Sequence, residues 1–197
     1  MRRMMGLVAV VVVGLVAACA QMGSGRSASV FEVMPKVQEQ ITWQVWNANG
    51  WAASPVVVQA VLAQNKKGPI PGMDNAKWKT VPESDAIVQG FITNDAAKFL
   101  KEELAKTDGI STGAFLNAAQ GEKVAFTDKT GSYIHKGSAK FDVPFTTGKP
   151  WQGPAELDDS GKVYEVQVAV PVLSEGKSIG VLIVEINGTK LEEMVKK

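Results

Sequence analysis

The chain has 197 residues, with 21 Lys and Arg against 20 Asp and Glu, 45% hydrophobic residues, one cysteine and one histidine. A formal charge of +1 offers no basic field to nucleic acid, and a single Cys with a single His excludes zinc and copper sites of the usual kinds. The length suits one globular domain with a real core and leaves little room for two.

The N-terminus has the texture of an export signal. Met1-Arg2-Arg3 gives a short positive start, Leu7 to Ala18 an apolar run, and Val16-Ala17-Ala18-Cys19 a cut site. The run is shorter than the roughly 20 apolar residues needed to span a membrane. An aliphatic residue, two small residues and a cysteine match the bacterial lipoprotein pattern, in which the cysteine is acylated and becomes the new N-terminus. Residues 1–18 are therefore expected to be removed, Cys19 to carry lipid, and the protein to work outside the cytoplasm, attached to a membrane. Ala20 follows where Asp would favour inner-membrane retention, which in a Gram-negative cell points to the outer membrane. Removal leaves 179 residues with 19 basic and 20 acidic side chains. With Cys19 acylated no thiol remains, so no disulfide is expected although the compartment permits one. Gln21 to Ala28 is small and polar, giving a tether over 19–28 and a domain over 29–197.

Beyond the tether, Val33, Val37, Ile41 and Val45 recur at helical spacing, with Ser29 and Glu32 as a capping box. Pro35 argues for a start nearer Met34, and Asn47 to Gly50 is expected to break the helix. Ser54-Pro55 restarts one as far as Lys66. Gly68 to Val81 is expected as loop, carrying Trp78. A third helix follows Asn94, from Asp95 to about Lys106, and Gly109 ends it.

From Ile110 the texture changes to short apolar runs punctuated by turns. Ala114 to Asn117 and Lys123 to Phe126 flank Ala119-Gln120-Gly121 as a hairpin. Gly161 to Val172 and Lys177 to Ile186, joined by Ser174-Glu175-Gly176, form a longer one. Asn187 caps a short helix through Met194. Hairpins require antiparallel pairing, so the fold class is α+β, with helices packed on an antiparallel sheet.

The ordered series of segments carries a resemblance. Phe115 to Asp128, Gly148-Lys-Pro-Trp-Gln-Gly-Pro154, Ser160 to Pro171 with its Val-Ala-Val-Pro ending, and Ser174 to Glu185 together resemble the Cache domains, extracytoplasmic PAS-like sensors. Asn117 stands where an aspartate is commoner in that family. The resemblance implies a single-Cache domain, an antiparallel PAS/Cache-like sheet against a long N-terminal helix, with a ligand pocket under loops on the other face. It implies a small-molecule ligand and a sensing role. The chain ends at Lys197 without an output domain, so an envelope sensor kinase or receptor is the expected partner, and the front helix suits a homodimer. No cofactor is implied. The family's amino-acid-binding motif of double-Cache sensors cannot be placed, because no arginine follows Arg26.

The candidate ligand-binding residues are Tyr133, His135, Lys140, Trp151 and Gln167. The first three, in a mid-chain loop, offer an aromatic and polar lining with Trp151, although a large aromatic is as readily plain core. Lys140 would pair a ligand carboxylate. Strand alternation puts Glu165 and Gln167 on one face opposite Tyr164, Val166 and Val168, toward water or a wet pocket. Two further readings stay open. One is a structural or assembly lipoprotein that uses the fold as a dimerisation scaffold. The other is a hydrolase with Ser111, Asp128 and His135, since Gly109-Ile-Ser-Thr-Gly113 matches a nucleophile elbow; but a helix precedes it and a strand follows, the reverse of what the elbow needs. The chain is expected not to be an enzyme. Asp158-Asp159-Ser160-Gly161 has the wrong spacing for an EF-hand loop and is expected as a turn.

Overall fold

A computed structural model describes residues 33–158 and 162–196. The export signal, Cys19, the tether, the Ser29–Glu32 capping box and most of the Asp158–Gly161 turn lie outside the described residues.

Helix α1 (Pro35–Ala52) begins with Pro35 in its first turn, where the missing N–H costs nothing. Asn47 to Gly50 does not end it, contrary to the sequence expectation. Gly50 is exposed, while Ala48 before it and Trp51 and Ala52 after it are buried. Burying an indole outweighs the roughly 1 kcal/mol cost of an interior glycine. Helix α2 (Pro55–Lys67) follows Ser54, which takes the N-cap backbone conformation without a side-chain cap bond.

The stretch expected as loop over 68–81 contains α3 (Asn75–Thr80), capped by Asp74, whose carboxylate accepts from Lys77 N at 2.8 Å. Too short to show a period, α3 exists to sink Trp78, which is fully buried and donates its indole N–H to Thr130 O at 2.8 Å. α4 (Ala86–Thr93) is capped by Asp85. α5 (Asp95–Ala105) is capped by Asn94, whose side chain accepts from Ala97 N and donates to Val124 O, joining the helix to the sheet.

The strands β1 (Ser111–Ala118), β2 (Lys123–Phe126), β3 (Trp151–Leu157), β4 (Tyr164–Ser174) and β5 (Lys177–Asn187) form one antiparallel sheet in the order β2-β1-β5-β4-β3. The β4–β5 turn is tight because Glu175 and Gly176 both take positive φ, 50° and 76°, the twist-matched hairpin geometry. Two segments differ from the sequence expectation. Lys140 lies on a helix, α6 (Ala139–Thr147), and the Gly148–Pro154 link runs into edge strand β3. α7 (Gly188–Val195) starts at Asn187, which accepts from Lys190 N at 2.8 Å.

One sheet face is apolar. Val166, Val168, Val170 and Val172 of β4, with Leu182, Val184 and Ile186 of β5, pack beneath α1, α2 and α5. The other face carries a second cluster, in which Trp78, Val88, Phe126, Tyr133 and Phe141 close over Phe115, Ala169 and Ile183. No helix among the described residues is long and apolar enough to cross a membrane.

Candidate functional site

The second face is built in rows by the register of the strands. Trp151, Ala169, Ile183 and Phe115 lie side by side across β3, β4, β5 and β1. One step along, Gln167 pairs Glu185, and Glu185 pairs Gly113. A further step brings Glu165 beside Glu156. The face therefore changes from aromatic to polar to acidic within two residue pairs of each strand. The aromatic end is covered by α3 and α4. Over the polar end α6 leaves a cavity of about 670 Å³, lined among others by Lys140, Trp151, Glu156, Glu165, Gln167 and Glu185.

Gln167 ties this wall together. Its carboxamide oxygen accepts from Lys140 Nζ at 2.7 Å, and its Nε2 faces Glu185 Oε1 at 3.4 Å and Glu165 Oε1 at 3.5 Å. The Glu185 carboxylate lies over Gly113, where a Cβ would meet its Oε2 at 2.2 Å. Glycine at 113 is thus what lets the carboxylate settle on the sheet. Burial, and then the neighbouring charge of Glu165, push the Glu185 carboxyl up to about 7, against the opposing pull of Lys123 and Lys140. The Trp151 ring folds over Gly153, where a Cβ would stand 2.8 Å from the indole. An aromatic wall, a lysine, the donor and acceptor of the Gln167 carboxamide, and several carboxylates can hold a small polar molecule. Among the described residues no group of three or more His, Cys, Asp and Glu is placed to hold a metal ion.

The structure brings three of the five sequence-named residues together: Lys140, Trp151 and Gln167 line this cavity. Tyr133 is placed elsewhere. It is fully buried beside Trp78, ring centroids 5.5 Å apart, and its hydroxyl accepts from Ile70 N at 2.9 Å. His135 is also buried, 4.8 Å from the Phe115 ring, with Nδ1 3.4 Å from Asn117 Nδ2. Burial, then the charges of Lys123 and Lys140, lower its pKa to about 2, so the imidazole is neutral. Ser111 Oγ faces Gln44 Oε1 at 3.3 Å at the start of β1. Asn117, beside His135, sits six residues further along that strand, about 20 Å away; Ser111 and His135 form no nucleophile–base pair.

Sequence reasoning did not single out Glu185 or Lys123. Lys123, on β2, is fully buried, with Nζ 3.6 Å from the Phe115 ring centroid. A lysine at a strand end gives no signal of burial, since most are solvated.

Neither protein-family profiles nor curated proteins match the chain. Solved structures do. The sensor domain of the Vibrio cholerae histidine kinase DctB superposes with a TM-score of 0.50 at 15% identity, covering 80% of this chain and 54% of that one. The Escherichia coli DcuS sensor domain superposes with a TM-score of 0.50 at 11% identity, covering 82% of this chain and 98% of that one. The ligand-binding domain of the Campylobacter jejuni chemoreceptor Tlp3, in complex with L-valine, covers 84% of this chain and 69% of its own at a TM-score of 0.44 and 18% identity. The chain thus spans about half of the DctB domain and nearly all of the DcuS one. The domain has the Cache, PAS-like, fold of sensor domains, as its segment order implied.

Proposed function

We propose that this chain is an extracytoplasmic ligand-binding sensor module, held to a membrane by acylated Cys19, that takes a small molecule into the cavity beneath α6 and acts through a partner protein in the envelope. The observation that carries this reading is the convergence of Lys140, Gln167 and Glu185 on one open cavity walled by Trp151. Polar side chains gathered on a sheet face that is otherwise packed shut have no stabilising reason to be there, because burying a carboxyl enough to shift its pKa costs stability. A concave site with a few convergent polar groups is the usual form of a small-ligand pocket. The sensor-domain fold supports the reading, and the lipid anchor rests on the Val16–Cys19 sequence.

The test is a thermal-shift screen against organic acids, amines, amino acids and purines. A compound that raises the wild-type midpoint and loses its effect in Gln167→Ala is the expected result. Metabolic labelling with a fatty-acid analogue, lost in Cys19→Ser, tests the anchor.

A second reading, a dimerising scaffold, is favoured by one observation. Trp43 and Trp46 on the outer side of α1 are 60% and 68% exposed and meet edge to face at 6.1 Å. Sedimentation of wild-type and Trp46→Ser protein tests it: a dimer lost in the variant supports a contact through α1.

A further inference from the structure

Exposed apolar surface is not spread evenly over the domain. Among the described residues, Trp43 and Trp46 are the most exposed large hydrophobic side chains, at 60% and 68%, ahead of Leu157 and Met194. Both stand on the outer side of α1, and their edge-to-face contact at 6.1 Å makes them one patch. Charge is missing from the same region. No Asp, Glu, Lys, Arg or His occurs from Gln40 to Asn65, in a chain that is 21% charged. Thr42, Asn49 and Gly50, exposed beside the two indoles, are uncharged as well. A helix side that meets only water normally carries charged residues. Lys36 and Glu39, nearer the helix start, are exposed and opposite in sign, so they add no net charge. An aromatic patch in a charge-free surround marks a face that meets something other than water.

We propose that the Trp43–Trp46 patch rests on the lipid bilayer, with its indoles in the headgroup layer. Resting on the reading of Cys19 as the acylated anchor, this adds a second point of attachment. The chain from Cys19 to Pro35, where α1 begins, reaches about 55 Å when fully extended. Trp46 follows within about 17 Å of helix. The anchor therefore keeps this face within reach of the bilayer, and a contact too weak to recruit the domain alone becomes intramolecular. Indoles suit that layer, because an apolar ring with one N–H partitions to the boundary between headgroups and acyl chains. A second copy is the competing occupant. A stable pairing buries about 800 Å² on each partner. The exposed parts of two indoles supply on the order of 300 Å², and the residues around them are polar or small. The lack of charge also sets this contact apart from a polybasic one: it needs no anionic lipid and is not screened by salt.

The experiment places the full acylated chain in phosphatidylcholine vesicles whose acyl chains carry bromine near the headgroup, a short-range quencher of indole emission. Trp51 and Trp78 are buried and respond little, and half-buried Trp151 is common to every variant. The wild type is expected to lose emission relative to the same chain in vesicles without bromine. The double variant Trp43→Ser, Trp46→Ser is expected to lose at most about half as much. Quenching is expected to be the same with added phosphatidylglycerol or raised salt. Both side chains are exposed, so the double variant should keep the wild-type unfolding midpoint, and its weaker quenching then reports lost contact, not unfolding. Acylated wild type that bromine leaves unquenched overturns the bilayer contact and leaves the anchor standing. Quenching that appears only with phosphatidylglycerol and fades with salt overturns it too. Trp46→Cys carries the only free thiol of an acylated chain; rapid cross-linking between copies in the same vesicles assigns the patch to a second copy and overturns the contact. A chain that takes up no fatty-acid label fails at the anchor, and the bilayer contact falls with it.

Discussion

The two faces of the sheet are made by the same strands, yet they do different work. On the face under α1, α2 and α5, valine, leucine and isoleucine alternate without interruption along β4 and β5, and the core closes completely. On the other face the same strands present Glu165, Gln167 and Ala169, then Val181, Ile183 and Glu185, so apolar packing stops halfway and a cavity begins. The closed face resembles any α+β core and explains why the domain folds. The half-open face carries three carboxyls, an amide and two lysines that folding alone does not require. The closed face is packed from end to end, whereas the open face joins a packed aromatic end to polar groups that cost stability.

The largest expected effect sharpens the boundary between the two halves of the open face. Trp78→Ala empties the aromatic end, where Trp78 touches Phe91, Phe126 and Tyr133. The loss is expected to be about 4 kcal/mol, read by denaturant unfolding. Gly121→Ala strains the β1–β2 turn, since φ is 83° and a Cβ would stand 2.3 Å from Lys136 N; about 2 kcal/mol is expected from the same measurement. Lys123→Met goes the other way and should gain about 1 kcal/mol, because it removes a buried amine with no partner. A loss there would break the view that this face holds functional groups at a cost.

The pH dependence belongs to the open face, where Glu185 and His135 both lie. The Glu185 carboxyl is raised from 4.5 to about 7 in the fold, so the folded state holds a proton that the unfolded state has lost, and stability falls as pH rises from about 4.5 to 7. His135 is lowered from 6.5 to about 2, so its contribution is lost as pH falls below 6.5. Glu185→Gln is expected to gain stability over wild type between pH 5 and pH 8, and His135→Asn to flatten the acid side. Denaturant titrations across that range check both. The smallest change is Gly113→Ala, whose Cβ would displace the Glu185 carboxylate. It should cost under about 1 kcal/mol because a side-chain tip can move, while altering ligand response more than stability.

Much of the closed face was legible in the sequence. The i, i+4 spacing of Val37 and Ile41, the Ser54-Pro55 and Asn94-Asp95 helix starts and the Glu175-Gly176 turn all appear where local chemistry put them. Lys140 and Trp151 were legible from loop and turn composition, and Gln167 from the alternation of its strand. Glu185 was not, for a reason of register. Counted from the pair Ser174–Lys177 without a slip, Gln167 would face Val184, and Glu185 would fall opposite core residue Val166. A bulge between Val172 and Leu173 shifts the pairing by one, so Gln167 faces Glu185 and the carboxyl reaches the open face. Nothing local announces that bulge. Trp78 and Lys123 escaped for a similar reason, since their burial comes from segments far away in the chain. Tyr133 and His135 were named from their loop composition, and the fold takes both into packed positions beside the cavity instead of its lining.

The central claim is that a ligand occupies the polar half of the open face. The most direct measurement is an amide and side-chain N–H shift map of the labelled protein, titrated with the first compound that raises its unfolding midpoint. The account predicts the largest shifts at the Trp151 indole N–H, the Gln167 carboxamide and the first turn of α6 around Lys140. Shifts confined to α1 around Trp43 and Trp46, with the Gln167 carboxamide unmoved, would contradict it.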